Sequence, residues 1–261
     1  MIDWFTGRTF IVTGGARGQG ETEVRHLVGA GARVIIADIN VAAAQAVADS
    51  LAGAAGQALA THLDVTSPES WAATVALATE GGRVIDGLVN NAGIAVPGRL
   101  GQLDVETWDR SFAVNVTGAM LGIQAVMDHM SDDASIINVG SVASMIAHHN
   151  VAYGAAKWAL RGLSKSAAVE LAPRGIRVNM IHPGYIRTPI NADADPTFLN
   201  AHLSQTPQGR AGTTDEIASV AMFLLSPASA YVTGVEIPVD GGFTSHNGNK
   251  PIFDALDAMK V

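Results

Sequence analysis

The sequence predicts a three-layer α/β fold, a parallel sheet with helices packed on both faces, in a single domain. Three observations carry that expectation. Short apolar runs alternate with alanine-rich segments of helical length, a glycine-rich turn joins the first run to the first helix, and the composition suits one large core. The chain has 261 residues, of which 48% are hydrophobic and 15% charged. That balance fits a compact fold with a sizeable interior and leaves no stretch typical of a disordered tail.

The runs that read as buried strands are Thr9–Thr13, Val34–Ala37, Leu59–Val65, Ile85–Asn90, Ile136–Val139, Arg177–Ile181 and Val235–Val239. All are rich in valine or isoleucine and lack the alternation of a half-solvated sheet, as expected of strands covered on both sides. Between them, Glu21–Ala30, Val41–Ala52, Pro68–Thr79, Val105–Met130, Tyr153–Ala172 and Asp215–Leu225 have helical length. The segment 184–213 is irregular and reads as a long loop or lid. A structureless stretch of that size inside a compact domain usually serves a function.

Sixteen basic and 24 acidic residues give a net charge of −8, and no lysine or arginine block stands out. A phosphate-neutralising groove is not expected, so nucleic-acid partners are set aside in favour of small molecules. With no cysteine, disulfides and thiolate metal sites are excluded. The eight histidines show no ligand pairing such as H-E-x-x-H, so no metal is expected. The opening residues lack the apolar core of a signal peptide and no later run reaches membrane-spanning length, which points to a cytoplasmic location and no membrane partner.

The first strand runs directly into Thr13-Gly14-Gly15-Ala16-Arg17-Gly18-Gln19-Gly20. Glycines there permit a tight turn and a close approach of backbone amides to a pyrophosphate at the helix N-terminus. Asp38 ends the second strand roughly 20 residues further on, where a carboxylate can bind both hydroxyls of an adenosine ribose. It would repel an added 2′-phosphate, and neither Ile39 nor Asn40 is basic. The expected cofactor is therefore NAD, although Arg17 could accommodate a phosphate and Asp38 could simply cap the next helix. Asp64-Val65 could hold the adenine edge or, equally, begin the helix at Pro68.

Together with Asn90-Asn91-Ala92-Gly93, Ser141 and Tyr153-x-x-x-Lys157 in order, the glycine loop makes the chain resemble the short-chain dehydrogenases/reductases. The resemblance extends from Gly7 through Pro183-Gly184 to Asp240-Gly241-Gly242. Within that family, the segments 14–20, 153–170 and 206–242 look most similar to bacterial NAD-dependent 3α/20β-hydroxysteroid dehydrogenases. Membership implies a seven-stranded Rossmann-type sheet and a homotetramer. It implies that Asn91 and Ala92 border the cofactor ribose, with Gly93, Pro183 and Gly184 in the cofactor site, while Ile186 and Thr188 hold the carboxamide and pyrophosphate side. Asn115 matches the family asparagine that kinks its helix and holds a water leading from Lys157 to solvent.

Tyr153 and Lys157 are one helical turn apart and share a face. A phenol titrates near about 10, and an adjacent ammonium would favour the phenolate needed to exchange a proton with an alcohol or ketone. Ser141 would hydrogen-bond the substrate oxygen. The expected activity is hydride transfer between NAD(H) and a secondary alcohol or ketone, with an apolar substrate such as a hydroxysteroid.

Gly140 stands where a second serine is common and should leave Ser141 as the only hydroxyl at that strand end. Expected cleft walls are Val96, Val142, Ser144, Ile146, Tyr185 and the segment 189–205. His148 and His149 could face the substrate or simply decorate a loop.

The nearest alternative is a 3-oxoacyl thioester reductase, which should prefer NADPH and a basic face for an acidic carrier; Asp38 and the acidic charge oppose it. A nicotinamide-sensing protein without turnover should have lost Tyr153 or Lys157, and both are present. An epimerase of the extended branch should add a sugar-binding domain for which this chain is too short. The tail 241–261, with Phe243, Ile252, Phe253, Leu256 and Met259, is expected to pack on a neighbouring subunit or rim the cleft.

Overall fold

In the computed structural model, which describes residues 4–188 and 195–259, the sheet has seven parallel strands. They are β1 (Thr9–Thr13), β2 (Arg33–Asp38), β3 (Gln57–His62), β4 (Ile85–Asn90), β5 (Met130–Val139), β6 (Arg177–Pro183) and β7 (Glu236–Val239). Their spatial order is β3-β2-β1-β4-β5-β6-β7. The order reverses between β1 and β4, and in such sheets ligands bind in the crevice beyond the strand C-termini at that switch.

Alternate side chains of one strand feed opposite cores. Phe10 and Val12 of β1 pack with Val24, Leu27 and Val28 of α1 (Gly18–Gly29) and with Ala44 and Val47 of α2 (Val41–Ser50). Ile217, Ala221 and Leu224 of α8 (Thr214–Leu225) complete that layer. Ile11 points the other way, into a layer of Trp71 and Val75 from α3 (Pro68–Ala78) and Ile123 and Val126 from α5 (Gly118–Met127). Ala167 and Leu171 of α6 (Val151–Leu171) finish it. Each fully buried large aliphatic contributes about 1.5–3 kcal/mol, which makes this two-sided burial the main support of the sheet.

Helix starts follow local chemistry. Asn40 caps α2 by accepting from the Ala43 N–H at 3.1 Å, Ser67 caps α3 through Ser70 at 3.1 Å, and Thr213 and Glu216 form a reciprocal capping box on α8. Buried arginines close helix ends: Arg33 donates to the Ala78 and Leu77 carbonyls at 2.8 and 2.9 Å, and Arg177 to the Leu224 carbonyl at 2.6 Å.

Four segments differ from expectation. β3 is displaced toward the N-terminus, and Leu63–Val65 lie beyond it because Asp64 starts a turn. The segment expected as one helix over 105–130 is α4 (Val105–Phe112), a π turn (Ala113–Thr117) and α5. β5 then begins at Met130 rather than Ile136. The irregular segment 184–213 contains α7 (Pro196–Ser204), capped by Asp195, whose carboxylate accepts from the Thr197 N–H at 2.7 Å. The expected wall residues 189–194 lie outside the described residues. In the C-terminal tail, α9 (Lys250–Ala258) leaves Ile252, Phe253 and Leu256 exposed. Among the described residues, no helix is long and apolar enough to cross a membrane.

Candidate active site

The glycine loop lies at the β1/β4 switch. Gly14 adopts φ 63°, a left-handed conformation that suits glycine, and a Cβ there would sit 3.0 Å from the Ala92 Cα. A Cβ on Gly20 would drive into the Gly14 carbonyl oxygen and the Asn91 amide. Asn91 explains the closeness, since its Nδ2 donates to the Thr13 and Gly14 carbonyls at 3.0 and 3.1 Å. Asn91 and Ala92 also donate their backbone N–H groups to Thr13 Oγ1 at 3.1 and 3.0 Å. The side-chain amide of Asn91 thus holds the loop to the end of β4.

Helix α1 has Arg17 at its N-cap, and no side chain caps the first-turn amides of Gly18, Gln19 and Gly20. This is the arrangement an anion requires. Thr188 stands opposite, its Cγ2 3.8 Å from where a Gly18 Cβ would be. Ile186 is buried and bridges to Gly212, and Gly184, following Pro183, is pressed against Asp240.

Asp38 closes the other side of the groove. One carboxylate oxygen accepts from the Ala16 N–H at 3.1 Å and the other from the Asn40 N–H at 2.9 Å, tying the end of β2 to the glycine loop. Exposed Ile39 and Arg17 flank it. Asp64 accepts from the Thr66 N–H and hydroxyl at 2.9 and 2.7 Å, and these bonds hold its carboxyl below the ordinary range. Asp64 thus forms the turn before α3; Val65 is buried, its carbonyl accepting from the Trp71 indole at 3.0 Å. The loop, the uncapped helix start and the Asp38 carboxylate fit the pyrophosphate and ribose of a nicotinamide dinucleotide.

The remaining candidates converge beyond β4 and β5. Tyr153 and Lys157 share a face of α6, and the Lys157 Nζ lies 5.8 Å from the Tyr153 ring centroid. Lys157 is buried and donates to the Val139 carbonyl at 2.7 Å. Ser141 follows β5 and hydrogen-bonds the Tyr153 hydroxyl, while its own Oγ accepts from the Ala143 N–H at 3.1 Å.

Asn115 sits in the π turn. Its Oδ1 accepts from the Ile94 N–H at 3.1 Å and its Nδ2 donates to the Ile94 and Ser111 carbonyls, both at 2.9 Å. A Cβ on Gly93 would lie 2.8 Å from Asn115 Oδ1 and 3.5 Å from Lys157 Nζ, so Gly93 keeps this junction open.

The electrostatics differ from the simple expectation for a Tyr–Lys pair. Burial pushes the Tyr153 phenol up, and the Ser141 hydrogen bond opposes it. Burial also lowers Lys157 to about 8, which weakens the ammonium expected to favour the phenolate. Protein burial alone therefore leaves the tyrosine protonated.

Ser144, expected to line the cleft, is instead turned inward: its hydroxyl donates to the Ser141 carbonyl at 2.5 Å and meets His182 Nδ1 at 2.7 Å. Its hydroxyl is therefore turned away from the cleft.

A wall of rings borders the cleft, drawn from the loop histidines, Tyr185, the segment 189–205 and the tail that the sequence offered as cleft residues. His148 packs on Tyr153 with centroids 5.3 Å apart and on His149 at 4.4 Å, while His149 meets Phe198 of α7 at 6.1 Å. Tyr185 meets both Phe198 and His202, and His202 stacks on Phe243 of the tail at 4.4 Å. Burial lowers the pKa of His148 and His202, favouring neutral rings. The Asp195-Pro196 pair was the available signal for α7. Among the described residues, no group of three or more histidine or acidic side chains forms a metal-ligating cluster.

Residues 14–244 match a family model described as enoyl-(acyl carrier protein) reductase. The chain is 39% identical to the 2,5-dichloro-2,5-cyclohexadiene-1,4-diol dehydrogenase LinX of Sphingobium indicum, over 94% of this chain and 99% of that one. It is 42% identical to the 3-alpha-(or 20-beta)-hydroxysteroid dehydrogenase of Mycobacterium tuberculosis, over 90% and 89% of the two chains. A solved blue fluorescent protein from a metagenomic library, in complex with NADPH, superposes with a TM-score of 0.86 at 33% identity, covering 92% of this chain and 98% of that one. With a seven-stranded parallel sheet, a dinucleotide groove at its switch point and these relatives, the chain belongs to the short-chain dehydrogenase/reductase family, oxidoreductases that act on the CH–OH group of secondary alcohols.

Proposed function

We propose that this protein is an NAD-dependent dehydrogenase of apolar ring alcohols, with hydroxysteroids as the leading substrate class. The observation that carries the proposal is the hydrogen-bonded Ser141–Tyr153 pair, with Lys157 buried beneath it and a wall of rings beside it. The names of the two relatives, a cyclohexadienediol and a hydroxysteroid dehydrogenase, agree with a cyclic substrate. Neutral imidazoles and phenyl rings suit an alicyclic skeleton better than a phosphate or carboxylate.

In this reading Ser141 holds the substrate oxygen and Tyr153 removes the hydroxyl proton. Lys157 and Asn115 form the proton's route away from Tyr153, with Asn115 fixed by its bonds to Ile94 and Ser111. NAD, when bound, accepts the hydride from the carbinol carbon. The amides of Gly18, Gln19 and Gly20 hold its pyrophosphate, Asp38 its adenosine ribose, and Ile186 and Thr188 its nicotinamide side. The carboxylate of Asp38 disfavours a 2′-phosphate, which selects NAD over NADP.

A 3-oxoacyl thioester reductase is the second reading; the matching family model is described by a reductase of carrier-protein thioesters, although one of the enoyl double bond. The net charge of −8 and Asp38 oppose it. Exposed Trp158 and Val169 on α6 and Tyr231 near β7 are consistent with assembly into a homotetramer.

The test is reduced-nicotinamide absorbance measured with NAD and NADP separately, over hydroxysteroids, simple cyclic alcohols and a 3-oxoacyl thioester. Turnover of ring alcohols with NAD is expected. NADPH-dependent reduction of the thioester, without ring-alcohol oxidation, would overturn the proposal in favour of the second reading.

A further inference from the structure

We propose that His182, a fully buried residue on β6, is a positioning residue that fixes Ser141 for catalysis. The inference rests on the role given to Ser141 above. His182 Nδ1 lies 2.7 Å from the Ser144 hydroxyl and 3.1 Å from the Ser141 carbonyl oxygen. The Ser144 hydroxyl donates its proton to that same carbonyl at 2.5 Å, and the Ser144 N–H donates to it at 2.9 Å. Because the Ser144 proton is committed, its oxygen must accept, so His182 Nδ1 carries the proton and donates to both oxygens. The Ser141 carbonyl is thereby clamped from two side chains and one backbone amide, which fixes the peptide from which the Ser141 side chain reaches Tyr153.

The other imidazole nitrogen faces the carboxylate of Glu236. Nε2 is buried without a hydrogen-bond partner, 3.5 Å from Glu236 Oε2 on β7. Glu236 is itself engaged by Arg161 at 2.7 Å and Lys165 at 3.0 Å, both from α6. Arg161 also donates to the Ser144 carbonyl at 2.8 Å. Tyr153, Lys157, Arg161 and Lys165 recur every fourth residue, so one stripe of α6 carries both the acid/base pair and the supports of the Ser141 turn.

Gly140 has a place in this arrangement. A Cβ there would approach His182 Nδ1 to 2.6 Å, so the glycine where a second serine is common gives the ring its room.

The test exploits the two imidazole nitrogens. An asparagine amide places a donor near the Nδ1 position, whereas glutamine places one near Nε2, toward Glu236. His182→Leu and His182→Gln are each expected to lose about 100-fold in kcat, the scale of a small misplacement of a reacting group. His182→Asn should recover most of it. The dissociation constant for NAD, measured calorimetrically on the same preparations, should stay within about threefold, the usual context dependence of such contributions.

Equal kcat for the Asn and Gln variants, or kcat losses matched by equal losses of NAD affinity, would overturn the inference. Should the leucine variant fail to fold, Ser144→Ala removes the intermediate hydroxyl without disturbing the ring, and wild-type kcat there would equally contradict it. Ser141→Ala is measured alongside. If that enzyme is fully active, the catalytic reading of Ser141 fails; if it is inactive while every His182 variant is fully active, only the positioning role fails.

Discussion

Lys157 donates to the Val139 carbonyl at 2.7 Å, so the last residue of β5 and the catalytic face of α6 are joined by a single buried bond. One residue further, Gly140 leads to Ser141; the same bond therefore sets the spacing between the candidate base and the hydroxyl that faces it. Replacing Lys157 with methionine should preserve the packed stem but remove the donor and the charge. The expected loss in kcat is about 100-fold or more, the scale of an acid/base group. Steady-state kinetics check it, and kcat within a few-fold of wild type would contradict the role.

Burial sets the direction of the pH profile. The Tyr153 phenol is pushed above its ordinary value by desolvation, with only the Ser141 bond opposing it. Alcohol oxidation needs the phenolate, so kcat/KM for oxidation should climb with pH through the neutral and mildly alkaline range, by up to about tenfold per pH unit. Ketone reduction should run the other way. Oxidation that slows as the solution is made alkaline, before the protein unfolds, would be inconsistent with Tyr153 as the base.

Glu23 offers a stability test away from the chemistry. It lies on α1, is buried, and neither carboxyl oxygen has a hydrogen-bond partner; burial raises it from 4.5 to about 8. Because the folded value exceeds the unfolded one, the favourable protonated form is fully present below 4.5 and its contribution is lost as pH rises toward about 8. Glu23→Met removes the ionisable group and keeps a good helix former. Near neutral pH it should stabilise the protein by a few kcal/mol, at 1.36 kcal/mol per pKa unit. Thermal unfolding at acid and neutral pH should show the gain only at the higher pH; an equal gain at both would refute the assignment.

The five inner strands were legible because they are largely buried on both faces, and continuous valine and isoleucine runs need no tertiary information to be recognised; β3, an edge strand that is only half-buried and holds neither residue, was placed too far along the chain. The glycine loop, Asp38, and the Tyr153 and Lys157 pair were legible for a related reason: their chemistry depends on local spacing. What escaped depends on distant contacts. The break at Asn115 was implied by the family resemblance, but not its partner: the side chain bonds the Ile94 backbone, 21 positions away. Ser144 looked like a cleft residue until His182, 38 positions on, was seen to draw its hydroxyl inward. Helix α7 is short and mixed in polarity, and is anchored to the cleft by Phe198 and His202 against rings from other segments. Arg161 continues the four-residue spacing of Tyr153 and Lys157, but its partner Glu236 lies 75 positions away.

The most direct test of the central claim is the turnover of Tyr153→Phe with NAD and a ring alcohol, compared with wild type on protein shown to bind NAD with unchanged affinity. Phenylalanine keeps the ring that packs on His148 at 5.3 Å and removes only the hydroxyl bonded to Ser141. A fall in kcat of about 100-fold to 10,000-fold is expected. Activity retained within a few-fold of wild type would show that the proton is taken elsewhere and contradict the proposed site.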